Sequence, residues 1–214
     1  MASPRASHLK SRDQDPLGCV PEKSVTALLL IDVINDFDFP KGRRLQRFAI
    51  PAARWIARLK ETLRRQKIPA IYVNDNFGRW QSDFQSLYRK CASSDCLGAP
   101  VAKILEPCPD DYFVLKPKHS GFYSTSLEVL LGFLGAKRLI LTGFAADICV
   151  LFTANDAYMR GFEVFAPSDC IASETAEAKR AVCAHMKRFS MADTRNSDRL
   201  AEHLSRTKLA GARS

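Results

Sequence analysis

No run of apolar residues in this chain is long enough to cross a bilayer, and no segment reads as a secretory signal. Both absences argue for a cytoplasmic location and against a membrane partner. There is no CxxC pair: the seven cysteines are an odd number, and the closest two, Cys91 and Cys96, have the wrong spacing for a redox or zinc motif. Reduced thiols are the simplest reading. Internal repeats and low-complexity tracts are missing, which excludes solenoid and fibrous architectures. Histidine is scarce, with four residues at positions 8, 119, 185 and 203. A block of basic residues is missing too: the net charge is +9, but Lys and Arg are scattered, many along an expected helix at 50–67 (Arg54, Arg58, Lys60, Arg64, Arg65, Lys67) where a solvated face accounts for them. Nucleic acid is therefore not expected as a partner.

What is present is one good core. With 214 residues and 46% hydrophobic content, the chain suits a single domain. Short apolar runs at 26–33, 69–73, 112–115, 139–141 and 163–166, with a further short one at 190–193, alternate with helical spacing at 50–66, 84–91, 125–134, 149–161 and 173–189. That alternation predicts an α/β fold: a doubly wound, predominantly parallel six-stranded sheet with helices on both faces. Residues 1–24 read as a polar arm, 25–195 as the domain and 196–214 as a basic tail. Thr125 with Glu128, and Ser173, are expected as helix caps.

In such sheets ligands bind beyond the carboxyl ends of the strands. Three chemistry-bearing residues fall there. Asp32 interrupts the apolar run TALLLIDV, and a buried carboxylate needs a partner, although it also reads as a cap for the following loop. Lys116 leaves the 112–115 strand, where a solvated lysine is the commoner case. Cys149 ends the stretch LILTGFAADIC and opens a helix that Asp147 or a neighbour would cap and Gly161 would stop; a small packing cysteine is the commoner case there too. Taken together they form an activation device: Asp32 takes the thiol proton, Lys116 stabilises the negative charge, and the helix N-terminus favours the thiolate. Backbone N–H groups of the preceding turn can face a developing oxyanion. Phe37, Phe39, Asn76, Trp80, His119, Phe122 and Phe144 are candidate pocket residues suited to a flat or partly apolar small molecule, each also readable as ordinary packing.

The stretches ALLLIDVINDF (27–37), LKPKHSGFYSTSLE (115–128), LTGFAADICVLFTANDAYMRGFEV (141–164) and SDCIAS (168–173) resemble the isochorismatase-like cysteine hydrolases, a family that includes nicotinamidases, N-carbamoylsarcosine amidase, ureidoacrylate amidases and biuret hydrolase. The resemblance implies that Asp32 is the general base, Lys116 the transition-state stabiliser and Cys149 the nucleophile. It also implies a cis peptide between Phe144 and Ala145, an oxyanion hole from the N–H groups of Ala145 and Cys149, and a homo-oligomer, dimer or tetramer. Nicotinamidases of this family hold a metal through an Asp-x-His pair; here Asp75 is followed by Phe77 at the histidine position, so no metal and no cofactor are expected. Ala146 stands where many relatives have threonine. The expected activity is metal-independent hydrolysis of a C–N bond (amide, ureide or lactam) in a small molecule through a Cys149 thioester. Isochorismatase-type vinyl ether cleavage, which does not need the cysteine, and a non-catalytic binding protein are the alternatives.

Overall fold

In the computed structural model, which describes residues 22–78 and 80–211 and side chains up to Arg206, a six-stranded sheet forms the centre of the molecule. The strands are β1 (Thr26–Ile31), β2 (Ala70–Asp75), β3 (Tyr112–Lys116), β4 (Arg138–Phe144), β5 (Glu163–Phe165) and β6 (Ile171–Ala172). Their order is β3-β2-β1-β4-β5, with β6 pairing to the upper end of β4, and every pairing is parallel. All six residues of β1 are buried. A strand covered on both faces cannot alternate apolar with polar residues, which is why TALLLI is continuous.

The helices are α1 (Gly42–Arg65), α2 (Phe84–Ala92), α3 (Ala99–Ile104), α4 (Leu127–Leu134), α5 (Leu151–Met159), α6 (Ala176–Phe189) and α7 (Ser197–Gly211). Leu28, Leu30 and Tyr72 face a core built with Leu45, Ile56, Leu63, Phe84, Val101 and Leu200, from α1, α2, α3 and α7. Leu29, Ile31, Ile71 and Val73 face the other core, built with Leu127, Leu131, Ala154, Val182 and Met186, from α4, α5 and α6. Strand alternation thus feeds two separate apolar layers, and each amphipathic helix buries one stripe against its layer.

Several local expectations need correcting. The sixth strand is Ile171–Ala172; residues 190–193 contribute one bridge, Phe165 to Asp193. The expected tail folds from Ser197 as α7, because Leu200 and Leu204, one turn apart, are buried against α1. Thr175, not Ser173, caps α6, its side chain accepting from the Ala178 N–H at 3.0 Å. Thr125 accepts from the Leu127 N–H, but Glu128 turns away to Arg160, so no capping box forms. Apart from residues 22–24, the expected N-terminal arm lies outside the described residues. No helix among the described residues is long and apolar enough to cross a membrane.

Candidate active site

Asp32 is the first residue after β1, and its backbone is left-handed (φ 51°). A left-handed backbone is uncommon for a non-glycine residue, and the carboxylate it carries here is buried. Its Oδ1 accepts the Asp75 N–H at 2.7 Å, and its Oδ2 meets the Lys116 Nζ at 2.9 Å. Lys116, the last residue of β3, is wholly buried. Its ammonium also donates to the Lys118 carbonyl at 3.1 Å and to the Cys149 Sγ at 3.6 Å, and it lies 3.5 Å from Asp75 Oδ2. Asp32, Lys116 and Cys149 are thus brought together by three strand ends, with the ammonium in contact with both carboxylate and thiol.

Cys149 is carried by a widened helical turn, Ala146–Val150, in which the Leu151 N–H reaches back to the Ala146 carbonyl. No side chain caps this turn, so Asp147 does not play the role expected of it. Widened turns of this kind recur at functional sites. Gly143, three residues before the turn, makes the approach possible: a Cβ there would lie 2.0 Å from the Ile31 carbonyl oxygen, and its φ is +133°. Only glycine lets β4 press against β1 at the register pair Ile31 to Gly143, directly below Asp32.

Two expectations for this turn are overturned. Among the described residues there is no cis peptide bond, so the Phe144–Ala145 bond is trans; the chain turns instead through a left-handed Ala145 (φ 50°, ψ 54°). The Ala145 carbonyl then accepts the N–H groups of Ile148 at 2.8 Å and Cys149 at 3.0 Å. The Cys149 N–H is therefore engaged in this conformation and does not present the expected oxyanion hole. Nor does the helix start make a thiolate at rest. Burial, reinforced by the Asp32 carboxylate, pushes the Cys149 thiol well above the ordinary thiol range, against the opposing pull of Lys116. Burial also works against the Lys116 ammonium, but Asp32, Cys149 and Asp75 outweigh it and hold the group above its usual value.

The candidate pocket residues separate into groups. Phe37 and Phe144 are buried with their rings 6.1 Å apart, beneath the loop that follows Asp32. The Asn76 N–H donates to the Lys116 carbonyl, and its side-chain oxygen accepts from Gly78. His119 is exposed and lies against the Phe152 ring at 5.5 Å. Phe39 and Trp80 are exposed, Trp80 to 79%. Phe122 is committed to the core, between the Phe162 ring and the Arg160 guanidinium. The residue that sequence reasoning undervalued is Asp75. It was weighed as half of a metal pair, whereas the β2 to β3 register sets it opposite Lys116. Among the described residues no group of three or more His, Cys, Asp or Glu could hold a metal ion.

This geometry sits in a chain whose residues 26–197 match the isochorismatase domain model. The chain belongs to the isochorismatase family. It is 38% identical to the isochorismatase family protein YaaI of Bacillus subtilis (strain 168) over 84% of this chain and 98% of that one. It is 26% identical to Nicotinamidase 3 of Arabidopsis thaliana, over 95% and 98% of the two chains. Among solved structures, N-carbamoylsarcosine amidase from Thermoplasma acidophilum superimposes with a TM-score of 0.62 at 26% identity, covering 82% of this chain and 98% of that one. The family's α/β fold is the one described above.

Proposed function

We propose that this isochorismatase-family chain is a hydrolase of C–N bonds other than peptide bonds, acting on a small amide, ureide or lactam through a thioester on Cys149. The observation that carries this reading is the Lys116 ammonium, fully buried, 2.9 Å from the Asp32 carboxylate and 3.6 Å from the Cys149 sulfur. Relatives and neighbours named nicotinamidase and N-carbamoylsarcosine amidase support the same bond class.

In the proposed cycle Cys149 is a thiol at rest. As a carbonyl carbon approaches, Asp32 accepts the thiol proton and the sulfur attacks. Lys116 stabilises the sulfur's developing charge and then that of the oxyanion. The C–N bond breaks as Asp32 returns the proton to the leaving nitrogen, which departs as ammonia or an amine. Water then attacks the thioester, Asp32 takes its proton and passes it to sulfur, and the acid is released with the thiol restored. General base catalysis of this type contributes on the order of 10²–10⁴ in rate. The high thiol pKa fits this order of events, since the proton leaves sulfur only when Asp32 is there to receive it.

The reading is also metal-independent. Asp75, the one carboxylate of the Asp-x-Phe sequence, is already engaged by the Lys116 ammonium and by the Phe77 N–H at 2.6 Å, and Phe77 offers no donor atom in its side chain. The exposed apolar side chains Val129, Phe133, Phe152 and Met159 on α4 and α5 support a homo-oligomer, which light scattering on the purified protein tests directly.

The deciding experiment is a screen of small amides, ureides and lactams with the wild type, Cys149→Ala and Asp32→Asn, with acid quenching and peptide mass spectrometry to capture the acyl group. Turnover lost in both variants, with an acyl adduct on Cys149 in the wild type, supports the proposal. Full turnover by Cys149→Ala would end it.

A further inference from the structure

Lys116 is shared by two carboxylates, not one. Asp32 is 2.9 Å away and Asp75 is 3.5 Å away. The two aspartates are themselves joined, since the Asp75 N–H donates to Asp32 Oδ1. They differ in what they face. The Asp32 side chain is 7% exposed and belongs to the reacting group, while that of Asp75 is 30% exposed and opens onto a cavity of about 70 Å³ lined by Asn76, Phe77, Ser86, Lys90 and Leu115. The Lys90 ammonium in that wall is paired with Asp36. With a neutral thiol, the two carboxylates outnumber the one buried ammonium, so the assembly carries one net negative charge, and the excess lies on its solvent-facing side.

We propose that Asp75 is a specificity-determining residue which makes the site select neutral or cationic small carbonyl substrates and reject those carrying a carboxylate next to the reacting carbonyl. The inference rests on the Cys149 hydrolase reading and extends it to substrate charge. An anion placed close to Cys149 Sγ meets two carboxylates that share one ammonium, and like charges a few ångströms apart repel strongly where solvent screens poorly. An uncharged amide or ureide meets no such penalty, and a cationic group is attracted. Asp75 does not take part in the proton transfers; it acts through its field across Lys116 and by holding that ammonium charged.

Two alkylating reagents of nearly equal size test this without knowledge of the substrate: iodoacetamide, neutral, and iodoacetate, anionic. Each transfers its CH₂ carbon to the thiolate with loss of iodide. Rates at Cys149 are followed by peptide mass spectrometry in the full chain and divided by the rates of the same reagents with glutathione. The normalised preference for iodoacetamide in the wild type is expected to be roughly tenfold or more, to shrink at least about fivefold in Asp75→Asn, to persist in Asp75→Glu, and to weaken as salt is raised. A normalised preference near one in the wild type, or the same preference in Asp75→Asn, overturns the assignment while leaving the nucleophile intact. If folded protein is labelled at Cys149 by neither reagent, the nucleophile reading fails and this inference fails with it. Circular dichroism of each variant separates a change of field from a loss of fold, and Asp75→Glu supplies the charge-retaining control.

Discussion

Among the described residues there are two buried lysine–aspartate pairs, one at each end of β3. Asp111 stands just before the strand and pairs with Lys60 of α1; Lys116 ends the strand and pairs with Asp32. Both pairs are at least nine-tenths buried. At the first, Lys60 also meets the Tyr72 hydroxyl at 3.0 Å and the Glu106 carbonyl at 3.5 Å, lies over the Tyr72 ring, and keeps the Cys108 sulfur at 3.8 Å. The Tyr72 hydroxyl donates to the Leu105 carbonyl, and Asp111 also accepts the Cys108 N–H. None of Lys60, Tyr72, Cys108 and Asp111 has a positive φ. At the second, Asp32 and Ala145 are both left-handed, a backbone cost of order 1–3 kcal/mol each, and the thiol beside the lysine is held in a turn with no side-chain cap. The same charge pair is a structural rivet where the backbone is relaxed, and a chemical device where the backbone is bent to bring a nucleophile to it.

Removing the nucleophile separates the two most sharply. Cys149→Ala is expected to lower turnover of any amide or ureide substrate by at least roughly 10³-fold, while urea unfolding shifts by no more than about 1 kcal/mol. Replacing the lysines comes next. Lys116→Met and Lys60→Met each strand a buried carboxylate and should each cost about 3–5 kcal/mol of stability, but only Lys116→Met should abolish activity. A Lys60→Met protein that stays folded yet has lost its kcat would break the comparison.

Alkaline pH gives an intermediate effect. Burial raises the Cys149 and Tyr72 groups, and it pushes Cys91 up to about 12. Each therefore binds its proton more tightly folded than unfolded, so its stabilisation is complete below the unfolded value and is lost as pH rises toward the folded one. Calorimetry from pH 7 to 11 should show Tm falling once pH passes about 8.5, with each such group contributing up to about 1.4 kcal/mol per pH unit. The fall should be shallower in Cys149→Ala; a Tm that climbs through this range would contradict the buried-thiol picture. The smallest expected change is that of Cys108→Ser. Its sulfur is the outermost partner of Lys60, so stability should move by less than about 1 kcal/mol and activity not at all.

The sequence made the strand ends legible because parallel strands announce themselves as unbroken apolar runs, and Asp32 and Lys116 break or end such runs. Cys149 was legible from the glycine, the turn and the helix around it. The shape of that turn was not: trans or cis at Ala145, and the engagement of the Cys149 N–H, depend on where one carbonyl points, which residue types do not encode. β6 escaped notice because a two-residue strand has no period, and α7 because its few apolar contacts, Leu200 and Leu204, are diluted by a basic surface. Asp75 has no partner legible in the sequence, since only the β2 to β3 register shows that it faces a lysine. Phe39 and Trp80 look like pocket aromatics in one dimension and stand open to solvent in three.

The contact at Gly143 bears on how such an enzyme can be altered. The separation between base and nucleophile is set by two backbones meeting where no side-chain atom fits, below the rim and independent of it. Exposed positions of the surrounding loops, such as Phe39 and Trp80, can then be varied by a library that recruits new substrates while the reactive spacing stays untouched. The same library would tolerate no residue but glycine at position 143.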